Sequence, residues 1–67
     1  MIDRDFCNNL LKIRTQRGVT QPELAALSKV PVTSISKYEN GAREPHLSNI
    51  KALCKGLGCT ATELLGV

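Results

Sequence analysis

Residues 20–41 read TQPELAALSKVPVTSISKYENG. Thr20, followed three residues later by Glu23, forms a capping box that predicts the start of a helix. Pro31 prevents this helix from running further, because proline lacks the N–H that a helix interior requires. A second short helical pattern follows and ends at an Asn-Gly pair, which is a turn signal. The stretch therefore predicts two short helices joined by a tight turn.

Two such helices within a small helical domain describe a helix-turn-helix. Their close crossing needs a small side chain on the first helix, and Ala25 supplies it. The apolar residues that hold the crossing angle are Leu24, Val30, Ile35 and Tyr38. We expect the second helix, at about residues 32–39, to turn short polar and basic side chains outward. Those available are Thr33, Ser34, Ser36 and Lys37.

Apolar residues at helical spacing predict a further helix on each side of this stretch. The stripe before it consists of Phe6, Leu10 and Ile13, and we expect Gly18 to end that helix. The stripe after it consists of Leu47, Ile50, Leu53, Cys54 and Leu57. We expect this later helix to end at Gly56 and Gly58.

A second capping box, Thr60 with Glu63, begins a fifth short helix that carries Leu64 and Leu65. No segment alternates with the period of a strand. The sequence therefore predicts a single all-α domain over residues 1–67, with five helices and a helix-turn-helix at about residues 20–40.

Length and charge narrow the class of protein. A chain of 67 residues buries about 60% of its unfolded surface, which leaves room for about a dozen core side chains and no deep cleft. An enzyme would need a nucleophile beside a base, or a pair of acids, in its active site. We expect neither arrangement here, and therefore no enzyme. The formal charge of +3 favours an anionic partner. No apolar run approaches the ~20 residues of a membrane span, so we expect a cytoplasmic protein.

The cysteines and the single histidine do not have the spacing of a metal site. Cys54 and Cys59 lie five residues apart, while Cys7 and His46 are remote. We expect no metal, no cofactor and no small-molecule ligand. We interpret the cysteines as free thiols that serve as small core side chains. A redox switch at Cys59 is the alternative, although the positive charge that would activate its thiol is sparse.

Two patterns, RxxRGVTQxELA at residues 14–25 and VxxxxISxxENGxRxP at residues 30–45, resemble the Cro/phage-repressor helix-turn-helix family. The resemblance runs from about residue 6 to residue 65. It implies a five-helix repressor-like DNA-binding domain in which helices 2 and 3 form the motif. It also implies a dimer that binds double-stranded DNA at a palindromic, inverted-repeat operator and regulates transcription. We expect a repressor, bacterial or phage-encoded and located in the host cytosol.

The resemblance also implies which residues meet the bases. The second helix of the motif lies in the major groove with its N-terminal part toward the base edges. The positions that match the family's base contacts are Val32, Thr33, Ser36 and Lys37. Their chemistry suits the role, because Val32 and Thr33 can meet a thymine methyl group and Lys37 can donate to guanine. A solvated helix face is the alternative interpretation of the same residues.

Other matching positions imply contacts to the DNA backbone and one structural ion pair. The phosphate-contacting candidates are Gln21, Asn40, Arg43, Arg17 and Lys29. Such contacts set affinity and register rather than sequence choice. For the basic residues of this set, plain surface charge is the alternative. Arg14 and Glu39 match the family's partly buried ion pair, which joins the first helix to the second helix of the motif.

Three residues depart from the family's pattern. Lys29 stands in the turn where glycine is usual and where positive φ is common. Ser28 replaces an apolar residue. Pro31 stands where Ser or Thr usually caps the second helix of the motif, and proline has no side-chain cap to offer. We expect the fold to survive all three changes.

The C-terminal part of the chain is rich in apolar residues. We expect a homodimer, because a second copy related by twofold symmetry is the commonest cover for an apolar terminal patch. Its expected interface consists of Leu57, Leu64, Leu65 and Val67. The alternative is that these leucines close the core of one chain. An antitoxin-like or coactivator-like protein-interaction module with the same fold is the alternative function.

Overall fold

The helix boundaries follow local signals in the sequence. The computed structural model describes residues 4–66, with side chains from Phe6 onward. Within that range the chain forms five helices and no strand, which confirms the expected all-α class. They are α1 (Arg4–Gln16), α2 (Gln21–Ser28), α3 (Val32–Glu39), α4 (Leu47–Leu57) and α5 (Ala61–Leu65).

Both predicted capping boxes are formed. Thr20 Oγ1 accepts the backbone N–H of Glu23 at 3.2 Å, and Glu23 Oε1 accepts the N–H of Thr20 at 2.9 Å. Thr60 and Glu63 repeat this exchange at the start of α5 at 3.1 and 3.0 Å. Because each carboxylate accepts an N–H, the pKa of Glu23 and that of Glu63 fall below their ordinary value. A cap of this kind contributes about 1 kcal/mol to helix stability.

The turn between α2 and α3 has the strained residue that the sequence predicts. Lys29 ends α2 with φ 63° and ψ 18°, in the left-handed region that favours glycine. Pro31 occupies the N-cap position of α3 and makes no side-chain cap. The motif therefore keeps its turn and loses the capping hydrogen bond that Ser or Thr would supply.

The end of α4 corrects one expectation. Gly56 does not end the helix but lies inside it, and α4 continues to Leu57. Gly58 is the residue that ends it, with φ 70°. The interior glycine is explained by packing, since a β-carbon on Gly56 would lie 3.1 Å from Ser28 Cβ. Glycine here allows α2 and α4 to approach closely.

The helices enclose a core to which each of them contributes. Helix α2 packs against α3 and α4, while α1 packs against α3 and α5, and α4 also meets α5. The buried hydrophobic side chains of the described residues are Phe6, Leu10, Ile13, Leu24, Val30, Ile35, Tyr38, Ile50, Leu53, Cys54, Leu57 and Leu64. The Tyr38 ring meets Phe6 edge-on at 6.1 Å, and its hydroxyl accepts Asn49 Nδ2–H at 2.8 Å. The inner face of α3 is therefore anchored to α1 and α4.

Candidate nucleic-acid interface

Helix α3 separates a buried face from an exposed one. Ile35 and Tyr38 fix the buried face in the core. The exposed face carries all four predicted base-contacting residues, because residues four apart lie about 40° apart around a helix and form two adjacent rows here. These residues are Val32, Thr33 and Lys37, which are exposed, and Ser36, which is partly buried. The structure therefore brings them together on one side of α3, with Val32 and Thr33 in its first turn.

Ser34 does not belong to this outward set. We expected it among the available polar side chains, but it lies on the buried side of α3 with 9% exposure. Its neighbour Ile35 is fully buried, so both residues face the helices against which α3 packs. The exposed face is thus narrower than the polar composition of residues 33–37 indicates.

Arg14 and Glu39 form the contact that joins α1 to the end of α3. Arg14 Nε donates to Glu39 Oε2 at 2.6 Å, and Arg14 Nη2 donates to Glu39 Oε1 at 3.2 Å. The two side chains are only 13% and 6% exposed. Arg14 Nη1 also donates to the carbonyl of Val19 at 2.8 Å, just before α2. The hydrogen bond to Glu39 raises the pKa of Arg14, so the guanidinium stays charged.

Gln21 is the one phosphate-contacting candidate that joins this network. Its Nε2 donates to Glu39 Oε1 at 2.9 Å, and its side chain is half-buried at the first position of α2. Glu39 therefore links three helices, through Arg14 on α1, through Gln21 on α2 and through its own position on α3. Sequence reasoning missed the contact between Gln21 and Glu39, because 18 residues separate them and neither residue's local pattern points to the other.

Arg17 lies apart from the other phosphate-contacting candidates. Its Nε donates to the carbonyl of Leu57 at 3.0 Å, and its Nη2 lies 3.5 Å from the carbonyl of Gly58. Arginine suits this place, because the last carbonyls of a helix have no backbone partner and carry partial negative charge. The structure thus engages Arg17 with the C-terminal end of α4, and a phosphate would have to compete with that contact.

The remaining phosphate-contacting candidates flank α3. Lys29 is exposed in the turn before it, while Asn40 and Arg43 are exposed after it. Asn40 Oδ1 accepts the backbone N–H of Ala42 at 3.0 Å, which orders the loop that carries Arg43. This bond uses the acceptor of the Asn40 amide and leaves its NH2 group to donate. Donors and cations therefore border the exposed face of α3 at both ends.

The residues expected at a dimer interface take different places. Leu57 and Leu64 are buried in the core of the single chain, with 4% and 0% exposure. Their side chains have almost no surface to offer a second copy, which favours the alternative that these two leucines close the core of one chain. Leu65 is partly buried and packs at the edge of the core. Val67 lies outside the described residues.

Exposed leucines elsewhere were not expected from the sequence. Leu47 begins α4 with 66% exposure, although it continues the apolar stripe of that helix. Leu27 of α2 is 58% exposed.

Within residues 4–66, no helix is long and apolar enough to cross a membrane. In the same part of the chain, no group of acidic, histidine and cysteine side chains is arranged to hold a metal ion.

The chain matches a known family model and is similar to known transcriptional regulators. A helix-turn-helix family model matches residues 10–64, which is most of the chain. The chain is similar to the HTH-type transcriptional activator BcrR of Enterococcus faecalis, with 36% identity over 61 residues. That match covers 91% of this chain and 30% of the relative, so the chain spans less than a third of that protein's length.

Two controller proteins match over most of their own length. The control protein C.MunI of a Mycoplasma species is 37% identical over 60 residues, which cover 88% of this chain and 81% of that protein. The crystal structure of the restriction-modification controller protein C.AhdI from Aeromonas hydrophila superposes with a TM-score of 0.86 at 33% identity. It covers 90% of this chain and 91% of the other.

Proposed function

The chain belongs to the Cro/C1-type helix-turn-helix family, and from that premise we propose that it is a sequence-specific regulator of transcription that binds double-stranded DNA. The observation that carries the proposal is the exposed face of α3. Val32 and Thr33 in its first turn and Lys37 one turn further project from a helix whose other face is fixed in the core. This is the placement that a recognition helix needs in the major groove.

The chemistry of that face supports direct reading of base edges. Val32 and Thr33 offer methyl groups to thymine, and Thr33 and Ser36 add hydroxyl groups. Lys37 offers a charged donor to the acceptors of guanine. Gln21, Lys29, Asn40 and Arg43 border the same face, and we propose that they hold the DNA backbone.

We further propose that two copies bind an inverted repeat. One short recognition helix reads only a few base pairs, and a twofold dimer doubles the contacts while matching the symmetry of the site. We propose repression, in which the bound dimer excludes polymerase from overlapping DNA. BcrR is named as an activator, so the sign of regulation is a separate point for experiment.

Selection of binding sites from random duplex DNA tests the proposal directly. We expect the selected sequences to contain a palindrome with half-sites about one helical turn apart, which is the spacing of two recognition helices on one face of the duplex. Enrichment of no sequence would contradict specific recognition. A reporter gene under a promoter that overlaps the selected site then measures the sign of regulation.

A further inference from the structure

We propose that Glu39 is a positioning residue for DNA binding, which it serves by orienting the side-chain amide of Gln21. The inference rests on the proposed DNA-binding function and adds a role to the ion pair with Arg14. Glu39 is only 6% exposed, so it has almost no surface with which to meet DNA itself. Apart from the long-range effect of its charge, Glu39 must therefore act on DNA binding through a neighbour, and Gln21 is that neighbour at the start of α2.

The hydrogen bonds leave Glu39 little freedom. Both of its carboxylate oxygens accept from Arg14, and Oε1 also accepts from Gln21 Nε2. Arg14 is in turn held by the carbonyl of Val19. The acceptor that faces Gln21 is therefore fixed from α1 and from the connection that leads into α2.

The amide of Gln21 gains a defined orientation from this bond. A free glutamine side chain samples many rotamers and loses much of that freedom when it is ordered on a ligand. With one N–H of its Nε2 on Glu39, the amide is ordered before DNA arrives, and a second N–H on the same nitrogen is left to donate. Preorganisation of this kind increases affinity because the ordering cost is not incurred on binding.

The first turn of α2 makes the side-chain amide of Gln21 more important as a hydrogen-bond donor to a phosphate. Pro22 has no N–H, and Thr20 Oγ1 accepts the N–H of Glu23. A helix start leaves four backbone positions without a helical partner for their N–H. Thr20 N–H donates to Glu23 Oε1, so of these positions only Gln21 keeps a backbone N–H without a partner. The backbone at the start of α2 thus has few N–H donors for a phosphate, and the oriented side chain of Gln21 supplies an additional one.

Two substitutions of Glu39 separate positioning from the ion pair. Glu39→Gln and Glu39→Met both remove the charge that pairs with Arg14, so they change long-range attraction to DNA equally. Glu39→Gln keeps an acceptor oxygen for Gln21, whereas Glu39→Met offers only a weakly accepting thioether sulfur. The probe is labelled random-sequence duplex DNA, because phosphate contacts do not depend on sequence. Binding is measured at a temperature at which circular dichroism shows each variant folded.

We expect Glu39→Met to bind this duplex about three- to tenfold more weakly than Glu39→Gln, the range that one hydrogen bond supplies. The difference should disappear in chains that also carry Gln21→Ala. Equal binding by the two variants, or a difference that persists with Gln21→Ala, would show that Glu39 has a structural role only. Absence of duplex binding by the unsubstituted chain would instead overturn the proposed function, and this inference with it.

A stranded Arg14 charge can prevent Glu39→Met from folding. The same comparison is then made with Arg14→Met present in both chains, where no buried charge lacks a partner. The expected ratio of affinities and the requirement for Gln21 are unchanged. Equal affinities in that background overturn the proposal in the same way.

Discussion

Gly56 of α4 lies directly against Ser28 of α2. A β-carbon on Gly56 would be 3.1 Å from Ser28 Cβ and 3.2 Å from the Ser28 backbone nitrogen. Ser28 Oγ donates to the carbonyl of Leu24 at 2.7 Å and accepts the N–H of Val30 at 3.2 Å, so its short side chain is satisfied within the turn. Helix α2, the first helix of the motif, therefore packs directly against Gly56 of α4.

Gly56→Ala should lower the free energy of unfolding by about 1 kcal/mol. Alanine is a better helix former than glycine, but backbone atoms of α2 must move to admit its methyl group, and such overpacking costs about 1–3 kcal/mol. Chemical denaturation measures the change. Lys55→Ala, at an exposed position of the same helix, is the control and should change stability by less than about 0.5 kcal/mol. A more stable Gly56→Ala chain would contradict the close approach.

Lys29→Gly should raise the free energy of unfolding by about 0.5–1 kcal/mol. The left-handed conformation costs a side-chain-bearing residue about 1–2 kcal/mol, and the greater entropy of an unfolded glycine offsets part of the gain. Lys37→Gly is the matched control, because it makes the same change at a helical position and should destabilise by about 1 kcal/mol. Thermal unfolding of both variants gives the comparison. Equal destabilisation by both would exclude strain at Lys29.

Arg14→Met should lower the free energy of unfolding by about 3 kcal/mol, because it leaves the carboxylate of Glu39 buried without its counter-charge. Adding Glu39→Leu should recover much of that loss, since no charge is then stranded. Urea denaturation of the single and double variants measures both effects. Additive losses in the double variant would show that the two side chains are energetically independent.

Substitutions on the exposed face of α3 and in the loop after it should affect DNA binding differently. Lys37→Ala should cost about 1–3 kcal/mol on a selected site and relax the preference at one base pair. Arg43→Ala should weaken binding to selected and random duplexes alike, and should reduce the slope of log affinity against log salt concentration by about 1. Titrations at several salt concentrations measure both. A loss confined to the selected site for Arg43→Ala would assign it to base recognition.

Cys59 should react slowly with alkylating reagents near neutral pH. Burial, with Cys54 close by, raises the pKa of the Cys59 thiol to about 11, so little of the reactive thiolate is present. Because this folded-state pKa is raised, the thiol favours folding at low pH, and that contribution is lost as pH rises from about 9 toward 11. Mass spectrometry of alkylation between pH 7 and about 11, with the unfolded chain as control, measures how fast Cys59 reacts. Equal alkylation rates for the folded and unfolded chains would contradict the raised pKa.

Several elements follow from short-range signals alone. The capping boxes at Thr20 and Thr60 locate two helix starts, because their hydrogen bonds join residues three apart. Pro31 separates α2 from α3, because its ring is incompatible with a helix interior. Helical periodicity aligns Val32 with Ser36 and Thr33 with Lys37, because residues four apart lie about 40° apart around a helix. The motif and its outward face, apart from the buried Ser34, were therefore predictable from the residues themselves.

Other features depend on which distant residues meet. Gly56 was expected to end a helix, since glycine commonly does so, but the approach of Ser28 determines its role. Leu57 and Leu64 have the same apolar side chain as the exposed Leu47, and only packing decides which of them are buried.

The sequence by itself determined the five helices, the turn and most of the residues that α3 presents, because capping, proline geometry and helical periodicity act over a few neighbouring positions. The tertiary structure alone decided that Gln21 meets Glu39 and that Arg17 caps α4. The physical reason is that a long polar side chain has several possible partners in an isolated segment. The packing of the helices brings one of them within hydrogen-bond distance.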